Sequence, residues 1–168
     1  MKLTKLERVM LINQYRILSK INPNEANYYE ELIEILENGY SVFYSMIDDF
    51  VYDEAPVEEG KFVLDILQLY RMIDDYIRDN EEHPFKEHHW IPFKGFDGNN
   101  EFRYMSFARF LILNQGKFTE QKKFFSANDS LNSHTRTVDK YRRMMDRWEE
   151  CDDKYNLSEE DISQILDA

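Results

Sequence analysis

The stretch Lys140-Tyr141-Arg142-Arg143-Met144-Met145-Asp146-Arg147-Trp148-Glu149-Glu150-Cys151-Asp152-Asp153-Lys154-Tyr155-Asn156-Leu157-Ser158 decides the fold class. Tyr141, Met144, Trp148, Cys151 and Tyr155 recur every three or four residues, the spacing that stacks side chains along one face of an α-helix. A helix is expected from about Thr135 to Tyr155, with that aromatic face turned to a core or an interface.

The same rhythm runs outward from this helix in both directions. Thr4 with Glu7 three residues later reads as a capping box, followed by Leu3, Leu6, Met10, Asn13 and Ile17 at helical spacing to about Ser19. Asn22-Pro23 offers a cap with proline in the first turn, and Tyr29, Leu32, Ile33 and Leu36 form a stripe that Gly39 terminates. A short helix is expected around Tyr40 to Phe50, and the longest from Val57 to Asn80, where Phe62, Ile66, Leu69, Tyr70, Ile73 and Ile77 line one face. Another runs near Asn100 to Asn114 and is apolar almost all round, hence central or at a subunit interface. Ser158 with Asp161 begins a last helix whose Ile162, Ile165 and Leu166 face inward.

Composition agrees. Only five Gly and four Pro occur in 168 residues, and the length suits one domain over residues 1–168. The expectation is an all-α, single compact domain of about seven helices with two long ordered loops, 81–98 and 116–133. The first must be ordered because Phe85, Trp90, Ile91, Phe93 and Phe96 need a dry environment. Aromatic residues make up 15% of so charged a chain, which points to ring surface hidden both in a core and between the subunits of a homo-oligomer.

The net charge of −12 opposes nucleic acid and anionic membrane surfaces. It is uneven: residues 117 to 147 hold eight Lys or Arg against four Asp or Glu, net +4, leaving −16 on the rest. Arg136, Lys140, Arg143 and Arg147 follow helical spacing and form a basic stripe, the candidate partner-binding surface. Asp139 and Asp146 interrupt it, so pairing with acidic helices is favoured over nucleic acid. The single Cys151 excludes an intramolecular disulfide or multi-cysteine zinc site. With no signal-like start and no apolar run of spanning length, the expected compartment is the cytoplasm.

The usual catalytic signatures are missing: no nucleophile elbow, no phosphate loop, no His-Glu-x-x-His. Asp97, Glu101 and Arg103 are either a polar site or a structural cluster in which Asp97 or Asn100 caps the following helix. As a calcium loop the segment fails, since Phe102 and Ala108 fall where glycine and glutamate are needed. His83, His88 and His89 among glutamates match no metal spacing, and no metal or cofactor is expected. Cys151 and His134 lie seventeen residues apart, about 25 Å on one helix axis at 1.5 Å per residue, too far for a catalytic pair within one chain.

Several of these runs also resemble a known family. Leu11-Ile12-Asn13-Gln14-Tyr15, Asn22-Pro23 before Tyr29, Gly39-Tyr40, Gly95-Phe96-Asp97-x-x-x-Glu101-x-Arg103-Tyr104, and the opening run continued to Ile162, Ile165 and Ala168 are similar to the YfbU-like bacterial proteins. The resemblance implies an all-helical soluble protein and carries over no catalytic residue. The functional expectation is a non-catalytic or regulatory interaction module acting as a homo-oligomer. The alternatives are an enzyme with a site near the 83–104 loop, using Asp97, Glu101, Arg103 and a histidine, and nucleic-acid binding through the basic face of helix 135–155.

Overall fold

The computed structural model describes residues 2–49, 51–126 and 129–168. The fold is all-α, as the spacing predicts. Among the described residues there are seven α-helices with short 3-10 segments between them, and a lone parallel bridge between Phe96 and Asn132 in place of a sheet. The chain forms two compact units, up to Glu54 and from Ala55, each with its own apolar cluster.

In the first unit, α1 (Lys5–Ile21) and α2 (Ala26–Asn38) form a hairpin. The Thr4 hydroxyl accepts from the Glu7 N–H at 3.3 Å, while the Thr4 N–H donates to the Glu7 carboxylate at 2.7 Å. This capping box satisfies two groups that the first turn would otherwise leave orphaned. Gly39 ends α2 in the left-handed region at φ +70°. A Cβ there would come within 2.8 Å of the Arg8 guanidinium, which reaches across from α1 to donate to the Leu36 carbonyl at 2.8 Å. Ile12, Leu32, Ile35, Leu36 and Tyr44 form this unit's core. The expected helix from Tyr40 is a 3-10 turn, Ser41–Phe43, followed by one turn of α3 (Ser45–Asp48). Its expected end, Phe50, lies outside the described residues.

The second unit is built around α4 (Val57–Asp79), whose Val63, Ile66, Leu67, Leu69, Tyr70 and Ile73 are all buried. Phe62 and Ile77, expected on the central face, are only partly buried at its margin. Packed on α4 are α5 (Phe102–Arg109) and α6 (Val138–Glu149), and α7 (Glu159–Asp167) packs on α6. The helix expected to reach Asn114 leaves the α pattern at Phe110 and finishes in a π turn, Phe110–Asn114. It buries Met105, Ala108, Leu111 and Ile112 but exposes Phe102, Phe110 and Leu113, so it is central on one face only.

Two departures concern the opening run. Helix α6 starts at Val138 and stops at Glu149, not Tyr155. Glu149, Glu150, Asp152 and Asp153 crowd the end where the helix dipole disfavours negative charge, and the Trp148 indole N–H donates to the Lys154 carbonyl at 2.9 Å, turning the chain. Tyr141, Met144 and Trp148 are buried as expected, but Tyr155 falls beyond the helix and is 74% exposed.

Candidate functional site

The ring-rich loop is ordered by its own rings. Phe93 and Phe96 are buried completely and meet Tyr141 of α6, with ring centroids 5.8 and 5.4 Å away, while Tyr70 of α4 lies 5.3 Å from Phe93. The Tyr141 hydroxyl donates to the Gly95 carbonyl at 3.1 Å and accepts from the Lys94 N–H at 3.2 Å. Gly95 has φ +78°, and a Cβ on it would lie 2.0 Å from the Leu131 carbonyl oxygen, so only glycine lets the two segments meet. There the Phe96 N–H donates to the Leu131 carbonyl at 3.0 Å and the Ser133 N–H to the Phe96 carbonyl at 3.1 Å.

Asp97 and Glu101 come together in a buried polar knot, and Arg103 stays outside it. The Glu101 carboxylate accepts from the N–H of Thr137 at 3.0 Å, of Val138 at 3.0 Å and of Asp97 at 3.0 Å, and from the Thr137 hydroxyl at 3.1 Å. It caps the N-terminus of α6 from across the fold, where a negative charge best meets the dipole. Asp97 accepts from the Asn99 N–H at 3.0 Å and the Asn100 amide at 2.5 Å, and these donors hold its carboxyl below the usual carboxylate range. Arg103 is more than half exposed and lies 3.9 Å from Glu59 of α4. The knot's carboxylates are thus engaged by backbone N–H groups, the Thr137 hydroxyl and the Asn100 amide.

The basic stripe is also dismantled in part. Lys140 is buried: its ammonium donates to the Leu166 carbonyl at 2.7 Å and to the Ala168 carbonyl, capping the C-terminal end of α7, and lies 5.6 Å above the Trp90 ring. Arg136, Arg143 and Arg147 stay exposed. Arg143 donates to the Asp139 carbonyl at 3.1 Å, Arg147 pairs with Glu150 at 2.7 Å, and Arg136 donates to the Asn100 amide oxygen at 3.1 Å.

The histidines diverge. His83 is buried and accepts the Phe85 N–H at 3.1 Å, His88 faces Asp167 at 3.3 Å, and His89 lines a cleft that neither of them borders. No group of three or more His, Cys, Asp or Glu that could hold a metal occurs among the described residues. Cys151 lies past the end of α6, partly buried; desolvation and the carboxylate of Asp161 push its thiol up to about 11, so it is a poor nucleophile at neutral pH.

Two features were not foreseen as sites. One is a cleft of about 600 Å³ in the second unit, lined by His89, Trp90 and Lys94 from one loop and by Asp129, His134 and Arg136 from the other. Asp129, Ser130, Leu131 and His134 all have positive φ, from 41° to 67°, an unusual density of non-glycine residues in the left-handed region. They are held there by Arg109, which donates to the Ser130 carbonyl at 2.5 Å, and by the Asn132 amide oxygen, which accepts from the N–H groups of Gly98 at 2.9 Å and His134 at 3.2 Å. The spread of these residues over two loops hid the cleft from periodicity. The other feature is the outer face of α1. Leu6, Val9, Met10, Ile17 and Ile21 are exposed on the side opposite Leu11, Ile12 and Tyr15, which pack into the first unit's core. The spacing of Leu6, Met10, Asn13 and Ile17 was legible in the sequence, but which face the fold would leave uncovered was not.

The described residues form two helical units, and no helix among them is long and apolar enough to cross a membrane. The sequence matches the YfbU domain over residues 1–168, and the chain belongs to the YfbU family. It is 46% identical over 169 residues to UPF0304 protein MJECS11 of Methanocaldococcus jannaschii, the match covering 99% of each chain.

Proposed function

We propose that the protein is a non-catalytic interaction module that acts as a cytoplasmic homo-oligomer, assembled through the outer face of α1. The observation that supports this reading is the apolar stripe of Leu6, Met10, Ile17 and Ile21, open to solvent on a helix that is already apolar on its inner side. An exposed stripe of this length is costly to leave wet. A second copy of the same helix fits it. In an antiparallel pair centred between Asn13 and Gln14, Leu6 faces Ile21 of the other copy, Met10 faces Ile17, and Glu7 faces Lys20, all by a two-fold axis. Asn13 and Gln14 then meet at the centre, where a polar pair fixes register at some cost in stability.

Light scattering after size exclusion, at micromolar concentration, tests this. The natural chain is expected as a dimer or larger even-numbered assembly, and Met10→Glu with Ile17→Glu as a folded monomer. A natural chain that is monomeric, or a double variant that assembles unchanged, overturns the reading.

A further inference from the structure

The cleft of the second unit is unusual for where its charges stand. In a chain of net charge −12, its walls carry Lys94, Arg136, His89 and His134 against one carboxylate, Asp129. That carboxylate is already engaged, 3.1 Å from His134. Lys94 is half-buried, and its ammonium has no acceptor among the described residues; its only bond there is made by its backbone N–H. Arg136 donates to a neutral amide oxygen and feels the Asp97 carboxylate only through its field, and the ring nitrogens of His89 make no hydrogen bond among the described residues. Burying part of a cation without a counter-charge is unfavourable, and the cost shows in Lys94, whose ammonium desolvation holds below its usual range.

The end of α6 also borders this space, but its first N–H groups are not free to take a ligand. Glu101 already accepts from Thr137 and Val138. The positive field of the cleft is therefore carried by side chains. A lysine ammonium and an arginine fork lining the same cleft suit an anion with several oxygens, which a phosphoryl group offers and a single carboxylate offers less well. The volume is that of an organic molecule rather than a bare ion, and Trp90 supplies an apolar surface beside the charges. The strained segment 129–134, pinned by Arg109 and Asn132, keeps one wall in place before anything binds.

We propose that this cleft binds a small phosphorylated organic molecule, its phosphoryl group between Lys94 and Arg136 and its organic part against Trp90. The site lies within the second unit, so it is independent of self-association through α1.

Calorimetric titration with AMP, inorganic pyrophosphate and adenosine tests the proposal, with histidine ring protons followed by NMR. AMP and pyrophosphate are expected to bind saturably and to move the His89 and His134 signals while leaving buried His83 in place; adenosine is expected not to bind. Lys94→Met, which keeps the aliphatic stem, should weaken AMP binding by about tenfold or more. Arg143→Ala, outside the cleft, should bind as the natural chain does, as should the Met10→Glu, Ile17→Glu double variant. Absence of saturable binding by both phosphates at millimolar concentration, equal binding of adenosine and AMP, or unchanged affinity in folded Lys94→Met overturns the proposal.

Discussion

The two units of this chain use apolar residues in opposite ways. The second, from Ala55 onward, buries twenty-three apolar side chains in one cluster and leaves five large ones exposed among the described residues. The first has five in its core and exposes twelve, although it is less than half as long. A segment of that size buries too little surface to be robust by itself, since the fraction of surface removed from water falls as a domain shrinks. The second unit is a self-sufficient core that can hold strained loops and a charged cleft. The first reads as an element whose stability depends on what covers α1. Each substitution below probes one side of that contrast.

The largest effect is expected in the second unit at Tyr141, whose ring meets those of Tyr70, Trp90, Phe93 and Phe96. Replacing it by alanine opens a cavity and leaves the Lys94 N–H without its acceptor, and should cost about 4 kcal/mol in urea unfolding. In the first unit, Leu36→Ala should cost about 3 kcal/mol, whereas Leu6→Ala on the outer face should cost less than about 0.5 kcal/mol in a dilute monomer. If Leu6→Ala proves as costly in dilute protein as Leu36→Ala, the outer face is not open and the contrast fails.

Glu101→Ala comes next. It removes a buried carboxylate that accepts four hydrogen bonds and caps α6, so a loss of about 2 kcal/mol is expected, with Glu101→Gln retaining part of the cap. Asp97 adds a smaller, pH-dependent contribution. Its carboxyl is held below the usual range by the Asn100 amide and the Asn99 N–H. The stabilisation is therefore fully present above the unfolded pKa and is lost as pH falls through the folded one. Asp97→Asn should lower stability at neutral pH and flatten the acid side of the stability profile, measured by thermal melting.

These residues also mark how far the sequence could be read. Helix existence was legible because it rests on local spacing and caps: Thr4 with Glu7 and Ser158 with Asp161 are capping boxes in fact as in pattern. The end of α6 was not, because a mixed run of acidic residues and Trp148 decides it through a turn that periodicity cannot register. Asp97 and Glu101 were singled out together, but Glu101's partners on α6 lie thirty-six and thirty-seven residues away, and no spacing rule joins them. Lys140 looked like its neighbours in the stripe. Only the approach of α7 turns it from a surface charge into a cap. The cleft was least legible of all, being made by two irregular segments that meet because Gly95 lacks a side chain.

The finest test of the contrast concerns His89. Its ring is held below the ordinary imidazole range chiefly by the charge of Lys94, with lesser contributions from desolvation and His88. Lys94→Met removes the main repulsion, so His89 should take up its proton at a higher pH than in the natural chain, a rise read directly from its ring protons by NMR. AMP bound beside the natural lysine should move the same titration in the same direction, because an anion neutralises the field that Lys94 creates. The two perturbations act on one field, and so they should not add: once Lys94 is gone, AMP has little left to neutralise and binds weakly. A His89 titration indifferent to Lys94→Met would mean that the two side chains do not share the cleft. The first unit offers no counterpart to this measurement, since all four histidines lie in the second.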